Sequence, residues 1–227
     1  MPNPQYERAL QRSDLSQWVV HFVRSSSMIT PNCVGDAGEA LDSIFRDSCI
    51  RPSFEHIAQY CADGAACFYD APPRAWPEIA ETNPSGRQPI GFIFRKTELW
   101  HLGGRPVIYT DLNNPDFWPE SERYRIVYTN LSRLPDPADW THEREWRIGG
   151  PLKFHQPQWA HQWWCPVVPT NDWANYLFRK YTGYLNSIYV IELNGLVHCR
   201  KNSVQKVLHE LYCVPSYVRC GLAFHVT

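Results

Sequence analysis

Glu143 and Glu145 stand two residues apart in the segment WTHEREWRI, residues 140–148. Side chains of an extended strand alternate between its faces. A strand over 143–148 therefore puts Glu143, Glu145 and Arg147 on one face and Arg144, Trp146 and Ile148 on the other. Trp146 and Ile148 belong in a core, which turns the two glutamates toward a cleft or solvent. Carboxylates about 7 Å apart on one face suit a site that stabilises a cation or orients a sugar hydroxyl. The same pattern suits a solvated strand face with Glu–Arg cross-strand pairs, and the sequence leaves both readings open.

Other residue types point to less. The eight cysteines are Cys33, Cys49, Cys61, Cys67, Cys165, Cys199, Cys213 and Cys220. No two are separated by only two residues, so the usual zinc spacing is absent and no metal is expected. Buried, reduced thiols are the simpler reading. Cys67 near Asp70, with a histidine from elsewhere, has the composition of a thiol dyad, but sequence fixes no Cys–His distance. No Gly-x-Ser-x-Gly elbow is present. Gly103 and Gly104 lead into no dinucleotide or Walker pattern, which disfavours a Rossmann or P-loop site. The Trp-rich run HQPQWAHQWWC (155–165), with His155 and His161, reads as a stacking platform, a partner surface or a loop packed over the core. Arg179-Lys180 and Arg200-Lys201 are too small to form a basic patch unless they meet in space.

These residues must be positioned by a fold whose class composition already narrows. The 227 residues, 44% hydrophobic and 14% aromatic, suffice for one full core and exclude a disordered chain. The formal charge of -1 argues against coating nucleic acid through bulk charge, while a local basic groove stays open. No apolar run reaches the roughly 20 residues of a membrane span. Met1 to Leu15 holds no apolar core of signal-peptide length, so the expected location is the cytoplasm. Scattered prolines and glycines indicate short elements joined by ordered loops.

Strands are expected over 18–23 carrying His21, then within 65–73, 89–96, 105–111, 187–193 and 220–226. Residues 36–48 place Ala37, Leu41, Ile44 and Phe45 on one helical face, with Asp36 as N-cap. A short helix or turn over 97–104 ends in paired glycines. Residues 122–130 fit either type, 139–148 pass from turn to strand, and 203–212 read as a helix. Many short strands with few helices indicate an α+β fold with a mixed or mostly antiparallel sheet in a single domain over 1–227.

The ordered series HFVRS (21–25), CFYDAP (67–72), GFIFRK (91–96), GGRPVIY (103–109) and DWTHEREWRI (139–148) resembles a family of uncharacterised bacterial proteins associated with abortive infection and phage resistance. In order and spacing it also resembles, more distantly, the ADP-ribosyltransferase-like fold, DNA-targeting ADP-ribosyltransferase toxins included. The resemblance covers roughly residues 15–150; residues 1–150 would be the catalytic core, with 151–227 a C-terminal extension completing the sheet. One departure stands in the second motif, where CFYDAP replaces a Ser-Thr-Ser signature.

What the resemblance implies is a split sheet enclosing a cleft, NAD as substrate, and transfer of ADP-ribose to a macromolecule or hydrolysis of NAD. Cleavage of the nicotinamide–ribose bond passes through a sugar cation like that of glycoside hydrolysis, which a carboxylate stabilises as it develops. Glu145 would take that role, with Glu143 orienting the acceptor. His21, Arg24 and Ser25 would bind the adenosine ribose or the pyrophosphate, and Tyr69 or Tyr109 would stack on nicotinamide. The implied partners are a nucleic-acid or protein acceptor and an antitoxin or immunity protein, with no membrane. Each side chain also has a plain structural reading: His21 and the tyrosines as packed core residues, Arg24 as a solvated strand end. Two other functions stay open. One is a nuclease-like or nucleic-acid-binding defence effector holding a divalent metal with His142, Glu143 and Glu145. The other is a non-enzymatic interaction module that binds a partner through the Trp-rich 155–164 segment.

Overall fold

The computed structural model describes residues 16–24, 35–76, 78–79, 87–132, 135, 137–154, 164–181, 187–192, 195–200 and 203–209. Ser25, the run 155–163 and the strand expected over 220–226 lie outside them.

The fold is α+β, with a mainly antiparallel sheet and few helices. Four strands frame the candidate site: β1 (Trp18–Arg24), β3 (Ala65–Tyr69), β4 (Arg87–Arg95) and β8 (Glu145–Gly149). Val, Ile, Phe, Tyr and Trp dominate their apolar content, the types that fit a pleated, buried surface. Around them lie β2 (Cys49–Ile50), β5 (Arg105–Pro106), β6 (Ile108–Thr110), β7 (Ile126–Tyr128), β9 (Leu152–Lys153) and β10 (Trp164–Val168). Then come β11 (Ser187–Glu192), β12 (Gly195–Arg200) and β13 (Ser203–His209). The main sheet runs β13-β12-β11-β10-β4-β1-β3-β8-β5, while β2–β9 and β6–β7 form small separate pairs.

Pairing strength varies along this order. β1 and β4 are in register from Trp18↔Arg95 to Phe22↔Gly91, with an irregularity before Arg24↔Arg87. β3 and β8 pair from Ala66↔Ile148 to Tyr69↔Glu145. Between β1 and β3, in contrast, the register holds at Val20↔Tyr69 alone. The sheet is therefore weakly joined there, with β3, β8 and β5 on one side and the other six strands on the opposite side. Close approach of β1 to β4 requires Gly91, since a Cβ there would lie 2.0 Å from the His21 carbonyl oxygen.

Alternation along these strands builds two cores. Val19, Val23, Phe68, Phe92, Phe94 and Ile148 pack under two helices, α1 (Gly35–Asp47) with Leu41 and α3 (Asn171–Lys180) with Trp173 and Leu177. Val20, Phe22, Tyr69, Ile93, Cys165 and Val167 form a second cluster with Ala71 and Trp76. Helix α2 (Lys96–His101) ends on the predicted glycine pair: Gly103 has φ 94°, and the Gly104 N–H reaches Leu99 O at 2.7 Å. Helix α1 begins at Gly35, so Asp36 falls within its first turn rather than before it.

Two expectations are corrected. The segment 203–212 was expected to be helical, but Ser203–His209 is a strand paired antiparallel with β12, through Leu196↔His209 to Arg200↔Ser203. Pairing with β12 overrides a local pattern that also fits a helix. The strand expected over 105–111 is broken at Val107, whose N–H donates to Glu145 O at 2.9 Å. β5 then pairs with β8, and β6 pairs in parallel with β7. No helix among the described residues is long and apolar enough to cross a membrane.

Candidate functional site

The chain enters β8 through a short 3-10 turn, Thr141–Glu143, followed by Arg144 in the left-handed region at φ 45° and ψ 48°. A non-glycine residue there is strained by about 1–2 kcal/mol. Strand alternation thus starts at Glu145, not at Glu143. Glu145 and Arg147 do share a face, as the spacing predicts. That face is covered: Glu145 is 8% and Arg147 6% exposed. This corrects the expectation that both glutamates face a cleft or solvent, and its cause is the β6–β7 pair beneath β8. Arg147 Nη1 donates to Ile126 O at 3.0 Å and to Tyr124 O at 3.3 Å, tying the start of β7 to the sheet.

The carboxylate of Glu145 is gripped in fork geometry, with Arg147 Nε on Oε1 and Nη2 on Oε2, each at 2.9 Å. Burial works against the Arg147 charge, but the facing Glu145 carboxylate outweighs it and holds the guanidinium above its ordinary pKa. The Glu145 N–H donates to the Tyr109 hydroxyl at 3.1 Å. Burial pushes the Tyr109 phenol up, so it stays a neutral donor and acceptor.

Glu143 sits half-buried beside this pair and accepts a hydrogen bond on Oε1 from the Tyr69 hydroxyl at 2.9 Å. Tyr69 is on β3, opposite both Val20 and Glu145, with its ring 5.9 Å from that of Phe22. The structure therefore brings together Glu143, Glu145, Tyr69 and Tyr109, with Arg147 as their cationic partner.

His21 stands elsewhere. It follows Val20 on β1 and so faces the opposite side of the sheet from Tyr69, its ring 5.8 Å from that of Phe68. Its Nδ1 lies 2.8 Å from Cys67 O, within the weakly joined region between β1 and β3. A carbonyl only accepts, so Nδ1 carries the proton. Arg24 ends β1 opposite Arg87.

A second ionic cluster was not read from the sequence. Asp70, directly after Tyr69, is buried, and its Oδ1 lies 2.6 Å from Lys96 Nζ. At that distance the ammonium and the carboxylate form a charge-assisted contact. Asp70 Oδ2 accepts from the Trp146 indole N–H at 3.3 Å and lies 3.8 Å from an Arg144 nitrogen. The Lys96 ammonium also sits 5.7 Å from the centre of the Trp146 ring. Burial lowers the Lys96 pKa despite the opposing pull of Asp70. Trp100 meets Trp146 edge-on at 6.2 Å and carries the Arg105 guanidinium 3.7 Å above its own ring. Three chain segments supply this cluster, and its one legible signal was an acid and a base at the ends of adjacent apolar runs.

Among the described residues no three His, Cys, Asp or Glu side chains converge on a metal-holding group, and His142 is exposed on the 3-10 turn. Cys49, Cys61, Cys67 and Cys165 form no disulfide. Comparison with protein-family models, with curated proteins and with solved structures finds no match to this chain.

Proposed function

We propose that this chain cleaves the nicotinamide–ribose bond of NAD, as an ADP-ribosyltransferase or NAD glycohydrolase of toxin or anti-phage type acting in the cytoplasm. The observation that carries the reading is the Tyr69 hydroxyl on the Glu143 carboxylate, 2.9 Å away, next to the buried Glu145–Arg147 pair. The single register position between β1 and β3 supports a sheet divided in the manner of the ADP-ribosyltransferase-like fold.

In this reading the two glutamates exchange the roles expected from spacing alone. Both oxygens of Glu145 are engaged by Arg147, so its part is to fix the start of β8. Glu143 is the carboxylate that meets substrate. The bond from ribose to nicotinamide breaks with its electron pair leaving on nicotinamide. The ribose carbon becomes cationic, and the Glu143 charge stabilises it. The attacking group, a nucleophile of a nucleic-acid or protein acceptor or a water molecule, bonds to that carbon and gives its proton to Glu143. Tyr69 holds the Glu143 carboxylate in place throughout.

Nicotinamide release from NAD by the purified chain tests this. The wild type should release nicotinamide, Glu143→Gln should lose at least about a hundredfold of that rate, and Tyr69→Phe should lose less. No release by a folded protein, or undiminished release by Glu143→Gln, would remove the proposal. One observation favours a second reading, the non-enzymatic interaction module. Glu145 is wholly engaged by Arg147, and His21 faces away from Tyr69, so His21 does not join the glutamates and tyrosines that the structure brings together. That module predicts no turnover and a biological effect that survives loss of both glutamates.

A further inference from the structure

Among the described residues six large apolar side chains are exposed, and four of them fall within one segment: Leu112, Phe117, Leu131 and Trp140. Phe117 and Leu131 are the barest, 64% and 60% in solvent. Backbone pairing gathers the four at one end of the β6–β7 pair. These strands are parallel, with Thr110↔Tyr128 their last register position, so Leu112 and Leu131 follow where the chain leaves the same end. There the Thr129 N–H donates to Thr110 O at 2.8 Å. Asn130 and Ala138 then exchange hydrogen bonds at 2.9 and 3.0 Å, which brings the chain back past Leu131 to Trp140. Phe117 ends the 3-10 turn Pro115–Phe117, which the Asn114 side-chain oxygen caps by accepting from the Asp116 N–H at 2.9 Å. Large apolar side chains grouped in water mark a place where another surface belongs.

Charge decides what kind of partner fits. Residues 111–140 carry six Asp and Glu against three Arg, although the whole chain is only -1. Asp116 pairs with Arg123, and Glu122 with Arg125. Asp111 and Glu120 are exposed with no cation beside them among the described residues. Asp139 Oδ1 accepts from the Thr141 N–H and hydroxyl, which neutralises no charge. We propose that Leu112, Phe117, Leu131 and Trp140 form a docking surface for an apolar segment of another protein flanked by lysines or arginines. The apolar side chains supply the affinity, while Asp111, Glu120 and Asp139 steer and select the basic flanks. The same charge repels the phosphates of a nucleic acid. This surface adjoins the candidate site, since the Glu143 N–H donates to Trp140 O at 3.1 Å, but it stands without the NAD reading.

Fluorescence anisotropy of two labelled synthetic peptides tests the proposal on the full chain. Both carry the same amphipathic leucine pattern, one with lysine and the other with glutamate at the remaining positions. The lysine peptide should bind, and the glutamate peptide at least about tenfold more weakly. Phe117→Ser and Leu131→Ser should each weaken the lysine peptide about tenfold. Asp111→Asn combined with Glu120→Gln should weaken it as well and make the remaining binding less sensitive to salt. Trp100→Ser, at an exposed tryptophan bonded to Arg105 ahead of β6, should change nothing. Melting temperatures should stay level, as they do for exposed positions. Failure of the lysine peptide to bind, equal binding of the two peptides, or binding unaffected by both apolar variants overturns the proposal. So does a fall in melting temperature in Phe117→Ser and Leu131→Ser, which would show the surface covered within the chain. A dimer in sedimentation that Phe117→Ser dissociates would give the surface to a second copy and overturn the basic partner.

Discussion

Replacing Arg147 by methionine should unfasten β7 from the underside of the sheet and leave the Glu145 carboxylate buried without its partner. Both residues are less than a tenth exposed, so solvent does little to screen the loss. Removing one member of a buried pair costs about 3–5 kcal/mol. Two further contacts, to Tyr124 O and Ile126 O, go with the guanidinium, which places Arg147→Met in the upper part of that range. For a chain of 227 residues each kcal/mol corresponds to roughly 2–4 °C, so the melting temperature should fall by roughly 8–20 °C. The paired change Glu145→Leu with Arg147→Met should recover most of this loss, because an apolar pair of similar volume replaces a buried ion pair at little net cost. Urea unfolding followed by fluorescence of the ten tryptophans reads all the variants. An Arg147→Met loss below about 1 kcal/mol, or a double variant no more stable than the single one, would refute a buried ion pair as the fastening of β7.

Three further outcomes follow from local geometry. Gly91→Ala places a Cβ 2.0 Å from the His21 carbonyl oxygen, and backbone cannot yield as a side-chain tip can; a loss of about 3 kcal/mol or more is expected in the same unfolding assay. Arg144→Gly relieves the left-handed strain, so stability should stay level or rise by up to about 1 kcal/mol, and a clear loss would show that the guanidinium anchors the turn. Tyr60, Tyr109 and Tyr124 are all held above their ordinary value of 10.0, chiefly by burial. The folded state then keeps protons that the unfolded chain releases near pH 10, so their contribution is complete below that pH and is lost as pH rises through the folded values. Lys96 works in the opposite sense: its lowered pKa makes stability rise with pH up to about 10.5. Tyr109→Phe should flatten the alkaline loss of melting temperature and Lys96→Gln should steepen it, and unchanged slopes in both would show that burial does not set these protonation states.

The strands nearest the site were legible because their patterns are local. Val19 to Val23, Ala65 to Tyr69 and Gly91 to Phe94 are short apolar runs between turn residues, and Leu41, Ile44 and Phe45 mark one helix face. Misreading began where two periods fit at once. Val204, Val207, Leu208 and Leu211 have helical spacing, and only pairing with β12 makes Ser203–His209 a strand. Helix α3 passed unmarked although Thr170 caps it, its hydroxyl accepting from the Trp173 N–H, and Trp173 and Leu177 give a four-residue step. Glu145 and Arg147 were rightly assigned to one face, but which face is covered depends on β7, twenty residues upstream. No local pattern around residue 145 carries that information.

Arg144 explains why two glutamates separated by one residue have such different surroundings. Were it extended, Glu143 would continue the Glu145 row, and a second carboxylate would face the layer occupied by Arg147 and β7. One guanidinium cannot neutralise two buried carboxylates, and the pair would be forced to share a proton or leave the interior. The left-handed residue interrupts that row. It carries Glu143 to the Tyr69 hydroxyl and leaves Glu145 alone with Arg147. It also brings its own side chain near Asp70, so the same backbone departure that separates the acids sets a cation beside Lys96. The strain at Arg144 thus has a structural consequence on each face of the strand. The Arg144→Gly variant separates the two, since it keeps the backbone path while deleting the charge.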